Sequence, residues 1–354
     1  MSVELIKQMF AAYYEKHPPQ APPSFGQREF GFGSDKKIDY RHISFKNERD
    51  FQNYFISNAP LYASFSAGYY EFPDGRPMPK KGLIGADLIF EFDQECPHGT
   101  LFCPDCLEKT KQDTFHLIEE FLCRDFGVSR KDIYINFSGS RGYHVHVRNK
   151  DVQRLDGRAR REIADYLQAR NFDVRLLKGA SASSKGWKGR AARTVRAFVE
   201  NPEYKRYGVS AQFAKKVTER KDEILLNIDR GNYDVLKGAD SRWESVIDSQ
   251  VVHMNADIDQ SVTLDMARLI RVPTTLHGGS SLLAAHANDL ERFNPLKDTI
   301  AFHNYPVKVK VLKDVLQFVL NETTFGPFKA GEEASVPEYA AMGMLCKQAA
   351  DMIK

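Results

Sequence analysis

The chain has 354 residues, of which 42% are hydrophobic and 27% charged, as in a globular protein that buries a sizeable core in one large or two smaller domains. Its net charge of +3 argues neither for nor against nucleic acid, so the local distribution of basic residues matters more. The N-terminus has no basic segment leading into an apolar one, and no apolar run reaches about 18 residues. We therefore expect no signal peptide, no membrane span and a cytoplasmic location.

The first part of the chain alternates between helical and strand patterns. Apolar residues at helical spacing predict a helix at 3–17, which two consecutive prolines end. Short strands are predicted at 28–32 and 38–45, and a helix at 48–58. The loop that follows is rich in glycine, proline and aromatic residues, and it leads to the first stretch with chemical interest.

The stretch Leu88–Asp93 alternates in the manner of a β-strand. One face would be apolar, and the other would carry Glu91 and Asp93 side by side. Two carboxylates at the end of a buried strand repel each other and lose hydration, a cost that bound Mg²⁺ or Mn²⁺ would remove. The alternative is a half-exposed strand with an ordinary polar face.

A cluster of cysteines and one histidine comes next, in the pattern Cys-x-His-x4-Cys-x2-Cys. In a chain without an export signal, such a cluster indicates metal rather than disulfides. Four ligands of this type suit tetrahedral Zn²⁺ and leave no open position, so the zinc would be structural. The alternative is a loop with unrelated free cysteines. The predicted ligands are Cys96, His98, Cys103 and Cys106.

Elements beyond the cluster are predicted from the same periodicities. A helix at 115–126 would end at Gly127, and strands at 133–137 and 145–147 would flank a glycine-containing turn at 138–142.

The second half of the chain is more varied. A helix is predicted at 158–171, a strand at 307–311 and an amphipathic helix at 336–353. The stretch 178–196 holds six Lys and Arg residues and no acid, and is interpreted as a mobile loop or the entrance to a helical insert. Residues 203–250 have a polar helical pattern, typical of an accessory insertion. Strands and helices intermix, so the fold class is α/β or α+β.

The turn between the two strands carries several hydrogen-bond donors. Glycines allow a ligand to approach the backbone closely, and Ser138, Arg141 and His144 are suited to phosphate oxygens. The alternative is an ordinary hairpin turn with a surface arginine. His144 and His146 could share a metal, but phosphate binding also explains Arg141 and is preferred.

A second acidic site lies at Asp257 and Asp259, followed by Arg271 and His277. This order would place a cation ligand near phosphate donors. The alternative is a helix start capped by aspartate, with arginine on its solvated face.

Together these stretches resemble the catalytic small subunit of archaeo-eukaryotic DNA primases in its archaeal form. The resemblance covers nearly the whole chain, and the order and spacing of the motifs make it specific. The matching stretches are Arg28-Glu29-Phe30, Arg41 with Ser44-Phe45, Leu88–Asp93, Ser138-Gly139-x-Arg141-Gly142-x-His144, Asp259-x-x-Val262-Thr263, Arg268-Leu269-Ile270-Arg271, Leu276-His277-Gly278 and Val336-Pro337-Glu338-Tyr339-Ala340-Ala341.

The resemblance implies a primase fold with an RRM-like catalytic sheet, a zinc knuckle and a helical insertion. The expected organisation is a catalytic core in two parts, 1–199 and 251–354, with the zinc knuckle at 94–110 and a variable helical insertion at 200–250.

The resemblance also implies template-directed synthesis of short primers from nucleoside triphosphates on single-stranded DNA, by two-metal nucleotidyl transfer. Glu91, Asp93 and Asp259 would hold two Mg²⁺ or Mn²⁺ ions. One ion would activate the attacking 3′-hydroxyl and the other would stabilise the leaving pyrophosphate. The residues implied in nucleotide binding are Arg41, Ser138, Arg141, His144, Arg271 and His277. The basic stretch 178–196 could contact the template backbone.

One residue departs from the family pattern, which usually has Asp where this chain has Glu91. Because Mg²⁺ tolerates little change from octahedral geometry, the extra methylene would lower activity, favour Mn²⁺ or be absorbed by a small strand shift.

Two other functions stay open: a primase-polymerase that mainly extends DNA in repair, and a non-catalytic nucleic-acid-binding subunit. The family works with a larger subunit that carries an iron–sulfur cluster. This sequence has no second cysteine cluster, so such a cluster would belong to that partner. An archaeal replication enzyme would be associated with the nucleoid.

Overall fold

The computed structural model describes residues 2–34, 36–170, 179–236 and 239–353. Contacts divide the chain into two compact units. The first comprises Met1–Phe115, Arg130–Arg161 and Asp259–Lys354, and the second comprises His116–Ser129 and Glu162–Ile258. The predicted insertion at 200–250 lies within the second unit. Within the described residues, no helix has both the length and the apolar character needed to cross a membrane.

The mixed α and β class expected from the sequence is confirmed. The described strands are β1 (Phe30–Gly33), β2 (Tyr40–Ile43), β3 (Tyr62–Ser66), β4 (Gly68–Tyr70), β5 (Leu83–Ala86), β6 (Leu88–Asp93), β7 (Ile133–Phe137), β8 (Gly142–Val147), β9 (Leu269–Arg271), β10 (Ala285–His286), β11 (Pro306–Val311), β12 (Phe318–Leu320), β13 (Thr323–Phe325), β14 (Glu333–Pro337) and β15 (Ala350–Met352).

The described α-helices are α1 (Ser2–Lys16), α2 (Glu48–Asn58), α3 (Pro104–His116), α4 (Lys150–Gln153), α5 (Gly157–Leu167), α6 (Gly186–Glu200), α7 (Ala211–Glu219), α8 (Lys221–Asp229), α9 (Asp240–Met254), α10 (Gln260–Leu264), α11 (Pro295–Asp298) and α12 (Glu338–Cys346). A π-helical segment, Leu117–Cys123, continues the backbone after α3, and Gly127 follows with a left-handed φ of 67°. The end of the helix predicted at 158–171 lies outside the described residues.

One four-stranded sheet of the first unit has the order β2-β1-β3-β9, with all neighbours antiparallel. Its strands are short, and aromatic side chains fill the space between it and the helix α2. Phe30, for example, packs edge-on against Phe45, with 5.2 Å between ring centroids, and Phe51 and Phe55 are fully buried. The strand predicted at 28–32 begins only at Phe30.

The other four-stranded sheet of the first unit has the order β10-β7-β8-β6, also antiparallel. β6 spans the residues predicted for it, and it pairs with β8 so that Glu91 lies opposite His144 and Asp93 opposite Gly142. This register places both acids of β6 beside the hairpin turn between β7 and β8. A Cβ atom at position 142 would overlap the carbonyl oxygen of Phe92, so only glycine permits this close pairing.

The prediction of one amphipathic helix at 336–353 is wrong. The segment forms part of β14, the helix α12 and then β15, and both strands pair with β11. The helix α12 is buried along nearly its whole length, including Glu338. The carboxylate of Glu338 accepts hydrogen bonds from the N–H of His303 at 3.0 Å and from the hydroxyl of Tyr305. A helix buried on all sides carries no amphipathic periodicity, so periodicity does not predict where it begins and ends.

The second unit is helical in its described part and has its own hydrophobic core. Residues of α6 to α9 form that core, among them Phe198, Phe213 and Trp243. The stretch 178–196, interpreted as a mobile loop or the entrance to a helical insert, becomes helical from Gly186 onward, and Lys178 lies outside the described residues. Arg190 is buried there because its guanidinium pairs with Asp125 at 2.7 Å and stacks on the Phe121 ring.

Candidate active site

A cavity of about 590 Å³ in the first unit is bounded by residues from both four-stranded sheets. Six cationic side chains and three carboxylates line it, so the cavity is electropositive and suited to an anionic ligand. The cations are Lys37, Arg41, Arg141, Arg268, Arg271 and Lys347, and the carboxylates are Glu91, Asp93 and Asp265. Ser138, His144 and His277 also line it.

Glu91 and Asp93 project from one face of β6 into this cavity. Glu91 Oε1 lies 3.5 Å from Nε2 of His144, and Glu91 Oε2 lies 3.8 Å from a guanidinium nitrogen of Arg268. Burial alone would raise the pKa of the Glu91 carboxyl. The hydrogen bond with His144 and the charges of His144, Arg268 and Lys37 lower it by more than burial raises it, so the net shift is downward. Glu91 is therefore a carboxylate at neutral pH despite its partial burial.

Asp259 is brought to β6 by its backbone, but its side chain does not line the cavity. Its N–H donates to the carbonyl of Glu91 at 3.0 Å. Its side chain caps α10, where Oδ1 accepts the N–H of Ser261 at 2.9 Å. The structure thus places the backbone of Asp259 next to Glu91. The carboxylate of Asp259 caps the helix α10, which is the alternative interpretation of this stretch in the sequence.

The hairpin turn between β7 and β8 places Ser138 and Arg141 in the cavity. The hydroxyl oxygen of Ser138 accepts the N–H groups of Ser140 at 3.3 Å and Gly142 at 3.2 Å, and its own proton stays available for a ligand. The guanidinium of Arg141 pairs with Asp93, with Nε and Oδ1 3.2 Å apart. The stretch is therefore a hairpin turn that also groups several hydrogen-bond donors. Both interpretations of its sequence, a hairpin turn and a set of donors, describe it.

The turn is held against His277 by close backbone packing. Gly139 has a φ of 82°, and a Cβ atom there would lie 2.9 Å from Cβ of His277. The carbonyl of Gly139 accepts the hydroxyl of Ser280. A glycine at this position therefore lets two distant parts of the chain meet at the wall of the cavity.

Two cavity residues follow α10, Arg271, which is buried, and His277, which is partly buried. Burial lowers the pKa of His277 well below its usual value, with Arg271 adding to the effect. The ring is therefore neutral, and because Nδ1 accepts the N–H of Gly279 at 3.1 Å, Nε2 carries the proton. Arg271 donates to the carbonyl of Ala63 at 3.3 Å and forms no ion pair with a carboxylate among the described residues.

Arg41 reaches the cavity from β2 and is held by a buried acid. Its Nε lies 2.8 Å from Oε1 of Glu29, which is inaccessible to solvent. Glu29 also accepts the N–H of His42 at 3.0 Å and lies 3.4 Å from Nζ of Lys81. This network fixes the direction of the Arg41 side chain.

The structure adds residues that sequence reasoning did not select. Lys37, Asp265 and Lys347 line the cavity, yet each comes from a stretch without a recognisable donor motif. Arg268 belongs to a matching motif but is not among the predicted site residues. Asp265 stands between Asp259 and Arg268 in a stretch that alternates acids and arginines, and this pattern is a signal for a site residue. Nothing in the local sequence distinguishes Lys347.

The predicted metal cluster is assembled. One ligand atom from each of Cys96, His98, Cys103 and Cys106 lies within 4.8 Å of all the others, and this is the only such group among the described residues. Nδ1 of His98 is 3.1 Å from Sγ of Cys103 and 3.6 Å from Sγ of Cys106. Three sulfurs and one imidazole at these separations fit a tetrahedral ion, so the cluster could hold a metal such as zinc.

Comparisons with known proteins agree with this architecture. The family described as DNA primase small subunit matches residues 92–288 of this chain. The chain is 33% identical to the DNA primase small subunit PriS of Methanothrix thermoacetophila over 98% of both proteins. It is 34% identical to that of Archaeoglobus fulgidus over 97% of this chain and 96% of the relative, and 31% identical to that of Methanosarcina barkeri over 99% and 96%. The chain belongs to the DNA primase small subunit family, and the resemblance inferred from its motifs is confirmed.

Proposed function

We propose that this protein is the catalytic subunit of a DNA primase, which synthesises short RNA or DNA primers on single-stranded DNA for replication. The observation that carries the proposal is the electropositive cavity into which β6 projects Glu91 and Asp93, in a chain of this family. The reaction is nucleotidyl transfer, in which a 3′-hydroxyl attacks the α-phosphorus of a nucleoside triphosphate and pyrophosphate leaves.

Glu91, Asp93 and Asp259 would hold the divalent ions. Their oxygen donors suit Mg²⁺ or Mn²⁺, and the hydrogen bond between the Asp259 N–H and the Glu91 carbonyl keeps the third acid next to the other two. The bond to Ser261 uses Oδ1 of Asp259, so Oδ2 is available to a cation. When bound, such ions supply Lewis-acid activation of the hydroxyl and neutralise charge on the leaving pyrophosphate.

The remaining cavity residues would bind the nucleotide. Ser138, Arg141 and His144 offer donors from the sheet that contains β7 and β8. Arg271 and neutral His277 offer donors from β9 and the loop that follows it. Arg271 suits this role best, because a buried cation that pairs with none of the described carboxylates gains most from an incoming phosphate. Arg41, fixed by Glu29, is a further nucleotide contact.

The cysteine–histidine cluster would bind one structural Zn²⁺. The described lysines of the basic stretch that are exposed, Lys185 and Lys188, are the candidates for contact with the template backbone. Arg190 and Arg193 are less suitable, because Asp125 and Glu120 already pair with them. The name of the family indicates a larger partner subunit, and we propose a heterodimer in the cytoplasm, at the nucleoid.

One assay tests the proposal. The purified chain is incubated with single-stranded DNA template, Mg²⁺ or Mn²⁺, and labelled ribo- or deoxynucleoside triphosphates, with and without a primer. New short chains made without a primer support the proposal. Extension of a supplied primer alone would indicate a repair primase-polymerase, and template binding without any product would indicate a non-catalytic subunit.

A further inference from the structure

Lys347 lies at a wall shared by two cavities. It follows α12 and lines the candidate active-site cavity, and it also lines a cavity of about 270 Å³ beside the cysteine–histidine cluster. Ser140 and Arg141 of the hairpin turn line both cavities as well. The lysine is thus next to the proposed phosphate donors, although it is distant from them in sequence.

The ammonium group of Lys347 has no anionic partner among the described residues. Its Nζ lies 4.9 Å from the centre of the Phe102 ring, a cation–π contact. The other bonds of Lys347 are made by its main chain, whose N–H donates to the carbonyl of Gly343 at 3.2 Å and whose carbonyl accepts Nζ of Lys313 at 3.1 Å. Burial lowers the pKa of the amine, and the neighbouring charge of Arg141 lowers it further. Two cations that line the same cavity are both stabilised by an anion that binds there.

The position of Lys347 is fixed by the loop that carries the metal cluster. Phe102 immediately precedes Cys103 and is 3% exposed. The helix α12 packs on it so closely that a Cβ atom at Gly343 would lie 2.9 Å from two carbons of the Phe102 ring. The ring therefore supports both the end of α12 and the ammonium group that follows it.

We infer that Lys347 is a further phosphate-binding residue of the cavity, which contacts the triphosphate of the incoming nucleotide together with Arg141, and that Phe102 positions it. This inference rests on the proposed function, because it assigns a nucleoside triphosphate to the same cavity. It adds a donor from the residue that follows the helix α12 to the donors from the two four-stranded sheets.

The test is equilibrium binding to the full chain, measured by calorimetry with ATP, ADP and adenosine in buffer that contains Mg²⁺. Lys347→Met keeps the aliphatic stem on Phe102 and removes the charge. A lost charge-assisted hydrogen bond is expected to weaken ATP binding roughly tenfold or more and to leave adenosine unchanged. Lys347→Arg should stay within about threefold of the wild type, because it restores a donor with the same charge.

Lys310→Met is the matched control, since Lys310 is an exposed residue of β11 that does not line the cavity. It should bind ATP as the wild type does. Phe102→Leu keeps apolar volume but removes the ring face, and a few-fold loss of ATP affinity at unchanged zinc content is expected. If Lys347→Met does not give the wild-type melting transition, Lys347→Gln replaces it, with the same expected loss.

Equal ATP affinity in a folded Lys347 variant and the wild type would overturn the inference, and so would a wild-type chain that does not bind ATP. The result can be separated from the proposed function. A wild type that binds ATP but makes no primers contradicts primase activity and leaves the binding comparison intact. An active wild type with unaltered ATP affinity in Lys347→Met contradicts only the role of Lys347.

Discussion

The main-chain N–H of Asp259 donates to the main-chain carbonyl of Glu91 at 3.0 Å, and this bond links the start of α10 to the strand that carries the other two proposed metal ligands. Because it involves only backbone atoms, it can form with any residue except proline at position 259. The roles of the three acids can therefore be tested one at a time without separating the segments that carry them.

Asp93→Ala should abolish nucleotide incorporation and leave the chain folded. Asp93 is partly exposed and pairs with Arg141, so its removal costs little stability. If it holds a catalytic ion, incorporation should fall at least roughly 10²–10³-fold. Primer synthesis and the melting temperature are the measurements, and Asp289→Ala, which removes an exposed acid paired with Arg292, is the control. Retained incorporation would refute the metal role of Asp93.

Glu91→Asp should change the preference between Mg²⁺ and Mn²⁺. Shortening the side chain moves the carboxylate away from His144 and Arg268, and Mg²⁺ is more sensitive than Mn²⁺ to the placement of its ligands. We expect Mg²⁺-supported incorporation to rise relative to Mn²⁺ by severalfold, and Glu91→Gln to lose activity with both ions. An unchanged ratio in the aspartate variant would show that the extra methylene is absorbed by the site.

The purified protein should contain one zinc ion per chain, and Cys103→Ser should lose it. Since metal binding stabilises the loop that holds the ligands, the variant should be destabilised by several kcal/mol. Metal analysis and urea unfolding are the measurements. Cys123→Ser removes a cysteine outside the cluster and should keep its zinc. Zinc-free wild type together with a harmless Cys103→Ser would contradict the assignment.

Stability should fall as the pH decreases below about 6.5, in part through His146. This buried ring lies 3.5 Å from Asp87, and burial lowers its pKa to about 3. Between the folded and unfolded pKa values only the unfolded chain takes up a proton at this residue, so acid favours unfolding. Asp87 also has a lowered pKa, because its hydrogen bond with His146 and the charges of Arg28 and Arg148 outweigh its desolvation, but its contribution is lost at lower pH.

The measurement is the urea midpoint at pH 7 and pH 5. The wild type should unfold at lower urea at pH 5, and His146→Gln should show a smaller difference between the two pH values even if it is less stable overall. A wild-type difference that the variant reproduces in full would show that other groups cause it.

The features that could be predicted from sequence are those with a local signature. The alternation of Leu88–Asp93 gave the bounds of β6, and the spacing of four ligands gave the metal cluster. The turn around Gly139 was recognised because its donors lie close together in the chain. In each case the chemistry and the local geometry come from neighbouring residues.

The features that sequence could not supply depend on distant contacts. The helix α12 is buried on every side, and Lys347 reaches the cavity only because that helix packs on Phe102. The hydrogen bond between the main chains of Asp259 and Glu91 likewise joins two segments that are distant in sequence. Such outcomes are set by packing between segments, which no local pattern records.

The division of the chain has a consequence for its folding. The strands β6 and β8 come before the longer part of the second unit, Glu162–Ile258, whereas β9, Asp259 and Lys347 come after it. Contacts between distant segments form slowly because a long loop must close first. The metal cluster uses only local residues and can assemble early during synthesis on the ribosome. The candidate active-site cavity, in contrast, becomes complete only when almost the whole chain has been made.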